Sequence, residues 1–149
     1  METIDLNIFF LAAHSGDIFI LKKCLDNGID IHSCNDLALR LATKENHAKA
    51  IVFLLARGAN IQAVYDAELR HASLEGDTET VKKLLEDYSC SQEAKIYAMY
   101  NAIFGKHEEI IDLLLENGVS PTENNGAVLN VVKLCNNDRI NTLFEDYLK

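Results

Sequence analysis

ALRLATKENHAKAIVFLLARGANI, residues 38 to 61, holds two apolar runs split by a polar knot at Lys44-Glu45-Asn46-His47. Nothing in it suggests chemistry, yet the same pattern returns when the stretch is shifted by 30 residues. Ala12, Ala42, Ala72 and Ala102 recur at that step, and Val132 continues the series. Leu21, Ile51, Val81 and Ile111 keep it too, as do Leu25, Leu55, Leu85 and Leu115. Gly28, Gly58 and Gly118 match, with Tyr88 as the exception. A fixed period in this range marks stacked supersecondary units.

Within one unit the spacing predicts two helices. Leu39 and Ala42, then Leu69 and Ala72 one repeat on, mark a first helix with one apolar face. Ile51, Leu54 and Leu55, at i, i+3, i+4, mark the second. The polar knot turns the chain between them. Asp36 and Asp66 are expected to be N-caps, since a carboxylate can accept from the open amides of a first turn. The recurring glycine suits a left-handed C-cap. One such pair cannot bury its apolar stripe alone, whereas five in a row bury theirs against neighbours.

Leu41-Ala42 with Asn46-His47, followed by AIVFLLARGANIQA, resembles the ankyrin repeat, and KHEEIIDLLLENGVS repeats the likeness. It covers the chain from about Ile4 to Leu148. Two departures stand out. The family's TPLH start is replaced by LALR, AELR and YAMY at residues 37 to 40, 67 to 70 and 97 to 100. The period is also about three residues short of the usual one. The shortening is expected in the loop between units, at Gln62 to Tyr65, which leaves little of the projecting finger of other ankyrin proteins. Compact repeats of this kind resemble those of large DNA viruses of amoebae and of intracellular bacteria.

The resemblance implies an all-α ankyrin-repeat solenoid of five helix-turn-helix units with shortened inter-repeat loops. It forms one domain over residues 1–149, with units at about 3–34, 35–64, 65–94, 95–124 and 125–149. The third unit ends on DYSCSQ in place of the glycine turn, where Ser89 with Gln92, or Ser91 alone, can cap the following helix. The fifth lacks a tidy second helix, so RINTLFEDYLK is expected to close the stack with a polar outer face.

Composition bounds the function. At 149 residues and 48% apolar, the chain is long enough for a core without staples. A net charge of −9 disfavours phosphate backbones and anionic lipid, so neither nucleic acid nor membrane is an expected partner. The N-terminus has Glu2 and Asp5 where a secretory leader carries basic residues. Cys24, Cys34, Cys90 and Cys135 form no CxxC pair and read as reduced thiols of a cytoplasmic protein, host cytoplasm if it is viral or an effector.

No catalytic constellation, cofactor motif or metal-ligand spacing is visible. Cys24 shares the inner position of Leu54, Leu84 and Leu114 and is expected in the core. His47 and His107 sit at the family's Gly-His position, where the ring resembles a structural group that hydrogen-bonds loop backbone. His71 stands where other units carry Leu11, Leu41, Asn101 and Val131, and is expected to pair with Asn101 in a seam. The carboxylates read as solvated helix faces and helix starts.

What remains is surface. Leu74, Phe104 and Leu134 are apolar where His14 and Lys44 are polar. Tyr65, Asp66, Leu74, Glu75, Tyr97 and Phe104 are the candidate protein-binding residues, an apolar and aromatic patch with an acidic rim on the concave side of units three and four. The alternative is that the short repeat turns them into the seam. The expected function is a protein-interaction module, not an enzyme, that takes a protein partner with a basic face and is itself a monomer or weakly self-associating. A viral or bacterial inhibitor of a host protein is the alternative within binding. An enzyme or small-ligand site on the concave face is the alternative from another class, and would need convergent polar groups.

Overall fold

The computed structural model describes residues 5–149, so the proposed start of the first unit at Thr3 and Ile4 lies outside the described residues. Among them are ten helices and no strand. The helices pair in chain order. α1 (Leu6–Ser15) goes with α2 (Ile18–Asp26), and α3 (Ser33–Lys44) with α4 (Ala48–Ala56). Next come α5 (Ile61–Glu75) with α6 (Thr78–Asp87), α7 (Gln92–Gly105) with α8 (Glu108–Glu116), and α9 (Glu123–Cys135) with α10 (Asp138–Tyr147). The chain falls into two compact units, one ending at Val64 and one spanning Tyr65–Lys149.

Each unit has its own core built from the repeating positions. In the first, Phe9, Ala12, Leu21, Cys24, Leu39, Ala42 and Leu54 are buried. In the second, Leu69, Ala72, Val81, Leu84, Ala102, Ile111 and Leu114 are buried with Met99, Ile103 and Phe144. Alanine at one place in four of the five first helices, with Val132 in the fifth, is buried in each and lets helices approach closely. The leucine series at residues 25 to 115 is less uniform, since Leu115 is 1% exposed and Leu55 is 38% exposed.

The helix ends follow local chemistry. Gly28, Gly58 and Gly118 have φ of 93°, 96° and 94°. Behind them Ile29, Ala59 and Val119 donate back to Cys24, Leu54 and Leu114, so three helices close with the same Schellman turn. α6 lacks that glycine and ends on extended backbone at Tyr88. Asp17 and Asp77 cap α2 and α6, each accepting from the amide three residues on. Of the two serine caps considered for α7, Ser91 is the one used, accepting from the Ala94 amide at 3.1 Å.

Four expectations change. Gln62 to Tyr65 are not loop but part of α5. Asp36 and Asp66 lie inside α3 and α5 and cap neither. Their carboxylates instead hold the far end of their own helix pair. Asp36 Oδ1 accepts from the Asn60 amide at 2.8 Å, and Asp66 accepts from the Ser91 amide at 2.9 Å and its hydroxyl at 2.6 Å. The fifth pair has a complete second helix, α10, which buries Ile140 and Phe144. His71 is exposed and does not pair with Asn101, whose Nδ2 donates to the Arg70 carbonyl at 2.9 Å.

The first helices are not all alike. α3 opens with a left-handed turn at Cys34, Asn35 and Asp36, with φ of 55°, 56° and 53°. α9 opens the same way at Asn124, Asn125 and Gly126, 90 residues on. Left-handed backbone disfavours residues with a Cβ, although Asn and Asp tolerate it better than most. Arg40 supports the first of these turns, its guanidinium donating to the carbonyls of Asn35 at 3.0 Å and Cys34 at 2.8 Å.

Candidate functional site

The candidate residues all belong to the second unit, on α5 and α7. Arg70 and Leu74 are one turn apart on α5 and share a face. On α7, Tyr97, Asn101 and Phe104 share a face at i, i+4, i+7. Three contacts hold the two faces side by side. The Arg70 guanidinium lies over the Tyr97 ring, 5.2 Å from its centroid. Asn101 donates to the Arg70 carbonyl, and His107 Nε2 lies 3.2 Å from the Leu74 carbonyl. Facing a carbonyl, that nitrogen carries the proton.

Leu74, Tyr97 and Phe104 are 53%, 48% and 61% exposed. Leu134 of α9, one repeat after Phe104, is 78% exposed and extends the apolar column. Glu75 is exposed beside Leu74, and Glu93 is exposed one turn before Tyr97. Tyr65 and Asp66 are placed differently. The Tyr65 ring stacks on Tyr88 with centroids 4.3 Å apart and packs on the core of its unit. Asp66 is committed to Ser91, as described above.

Beside Tyr97 a shallow pocket is lined by Glu93, Ile96, Tyr100 and Asn124. Tyr97 and Tyr100 meet edge to face at 6.0 Å, and Asn124 donates to the Tyr100 hydroxyl at 3.3 Å. Arg70, Glu93, Tyr100 and Asn124 are members of this surface that residue-by-residue reading overlooked. The available signal for Arg70 was its register with Arg40, 30 residues earlier.

Charge is divided unevenly. Residues 65 to 149 carry sixteen acidic and eight basic side chains, a net of −8. Residues 1 to 64 carry seven and six, a net of −1. The surface with the apolar column therefore sits in a strongly negative unit, which attracts basic partners from a distance.

Other chemistry is sparse. No group of three or more His, Cys, Asp or Glu among the described residues is placed to hold a metal ion. Burial pushes the Cys24 and Cys90 thiols up, with the Asp66 charge adding at Cys90, so both are poor nucleophiles. No helix among the described residues is long and apolar enough to cross a membrane.

Comparison with known proteins gives the family. No family model matches the chain. An ankyrin repeat protein of fowlpox virus (strain NVSL) is 33% identical over 106 residues, covering 68% of this chain and 74% of the viral protein. Human transient receptor potential cation channel subfamily A member 1 is 29% identical over 135 residues. That match takes in 81% of this chain but only 12% of the channel's length.

Proposed function

Since the chain belongs to the ankyrin-repeat proteins, we propose that it is a protein-interaction module that docks a protein partner on the α5 and α7 faces of its second unit. One observation carries the reading: Leu74, Tyr97 and Phe104 stay about half exposed on two helix faces that are pinned together. Large apolar and aromatic side chains held in water on adjoining helix faces are the mark of a surface that meets a partner.

Glu75, Glu93 and the net charge of the unit supply an acidic surround, so the expected partner offers apolar anchors within a basic face. Leu74, Tyr97 and Phe104 form the contact surface with Glu75 at its rim. Tyr65 and Asp66 lie within the first half of α5, where they set its position as much as they meet the partner. The five helix pairs act together as one non-catalytic, monomeric or weakly associating domain, in the cytoplasm. The poxvirus relative favours a host-directed role, in which the module blocks a host protein.

The test is affinity capture from the cell of origin or its host, with wild type beside a Tyr97→Ala/Phe104→Ala variant. A saturable protein hit on wild type that is lost on the variant, while the variant melts like wild type, supports the reading. Early melting of the variant with capture unchanged would mean these side chains are packing groups. Turnover of a small molecule by the pure protein would also defeat it.

A further inference from the structure

Arg40 and Arg70 hold the same repeat position, yet their guanidinium groups are used differently. Arg40 is consumed internally, by the carbonyls of Cys34 and Asn35. Those oxygens are available because residues 34 to 36 form a left-handed turn. At the equivalent residues 64 to 66 the chain is helix within α5, and helical carbonyls are already taken by amides four residues on. Arg70 has therefore lost the acceptors its counterpart enjoys. Its guanidinium rests on the Tyr97 ring, its Nε is buried without a hydrogen-bond partner, and among the described residues no carboxylate pairs with it. This is notable in a unit with sixteen acidic side chains. The buried Nε is itself out of a partner's reach, but Arg70 as a whole is only partly buried, so the tip of its guanidinium, at the edge of the exposed apolar column, is where an acceptor from outside can meet it.

We propose that Arg70, seated on Tyr97, receives one Asp or Glu side chain of the protein partner. The inference rests on the α5 and α7 faces being the docking surface and adds the polar contact that fixes the partner's register there. The planar guanidinium offers N–H groups in a fork that matches a carboxylate, and the aromatic ring beneath keeps the fork oriented. Leu74 on the same face of α5, together with Tyr97, brings apolar partner groups close by. Their arrival removes water and strengthens the ion pair. A single carboxylate suits the site better than a phosphate, because a near-dianion is repelled more strongly by the net −8 of the unit. The partner segment is then mainly basic and apolar, with one acidic residue at a fixed offset from its apolar anchors.

The test uses a display library of random peptides selected on the full chain. Peptides enriched on wild type and lost on Phe104→Ala should carry Asp or Glu at one constant offset. Their affinity should fall on the order of tenfold on Arg70→Ala. It should fall nearly as far on Arg70→Lys, whose point charge lacks the fork. Changing the peptide's acidic residue to its amide should weaken binding to wild type and leave binding to Arg70→Ala unchanged. That peptide-side change keeps the test valid whatever Arg70→Ala does to folding. Peptides that depend on Phe104 but show no fixed acidic residue, or bind Arg70→Ala as well as wild type, overturn the Arg70 assignment alone. Competition by inorganic phosphate where acetate has no effect overturns the choice of carboxylate. If no selected peptide depends on Phe104, the docking surface itself fails, and this inference with it.

Discussion

His107 reaches back 33 residues to Leu74, its ring nitrogen Nε2 lying 3.2 Å from the Leu74 carbonyl oxygen. His47 makes the same link to the His14 carbonyl at 2.8 Å. Each ring ties the end of one first helix to the turn of the next pair. Each also occupies the space that a Cβ would need on a nearby glycine. At Gly76, whose φ is +78°, an added Cβ would stand 2.6 Å from His107 Cε1.

Gly76→Ala should therefore cost more than Gly118→Ala, although both place a Cβ on left-handed backbone. Gly118, with φ of +94°, has nothing within 4 Å of an added Cβ, so its cost is the conformational one of about 1–2 kcal/mol. Gly76→Ala adds the displacement of His107 and its hydrogen bond, about 1 kcal/mol more. Denaturant melts of the two variants decide it, and equal losses would mean the ring is not held.

Leu55 and Leu115 share a repeat position but not a fate. Leu115→Ala should cost roughly 2–5 kcal/mol, because it opens a cavity in the second core. Leu55→Ala should cost less than about 1 kcal/mol, since that side chain is partly in water. Comparable losses at both sites in chemical denaturation would contradict the burial difference.

Arg40→Ala should destabilise the left-handed turn at Cys34 to Asp36 by about 2 kcal/mol, removing two charge-assisted bonds to its carbonyls. Arg70→Ala should cost only about 0.5 kcal/mol, because losing the cation–π contact is partly offset by removing a buried Nε that has no acceptor. Amide hydrogen exchange across α3 in Arg40→Ala is the direct readout. Unchanged protection there would show that the turn stands without the guanidinium.

Asp112 lines a groove between α8 and α10 with Glu108, Asp138 and Asp146. Loss of water there, and then the charges of Glu116 and Glu108, hold its carboxyl above the ordinary carboxylate value. A carboxyl whose folded pKa is raised binds its proton more tightly in the native state, so its charge opposes folding at neutral pH. Asp112→Asn should therefore raise the melting temperature at pH 7. The gain should shrink as pH falls into the carboxylate range, where wild-type Asp112 becomes neutral by itself. A lower melting temperature at pH 7, or a gain independent of pH, would contradict the raised value.

The helical repeat was legible because its signals are local and recur. Gly28, Gly58 and Gly118 each close a helix through their own backbone freedom, and the alanine series marks close helix contact whatever lies beyond it. The same locality misled at Asp36 and Asp66. A carboxylate before an apolar run reads as an N-cap, and only the folded pair brings the amides of Asn60 and Ser91 within its reach. Gln62 to Tyr65 were misread for a similar reason, since a short period calls for a short loop but does not say which residues give up loop for helix.

The candidate surface divides along the same line. By itself the sequence determined that apolar residues recur at Leu74, Phe104 and Leu134, where other units are polar, because register alone places them at one site per repeat. Only the tertiary structure decided that these side chains stay in water while Tyr65 stacks on Tyr88 and packs on the core. It also decided that Arg70 is left without the acceptors Arg40 has. Exposure and hydrogen-bond satisfaction depend on what neighbouring helices bring within a few ångströms. At positions 34 to 36 and 64 to 66 the same register carries left-handed turn in one case and helix in the other, so equal sequence position does not give equal surroundings.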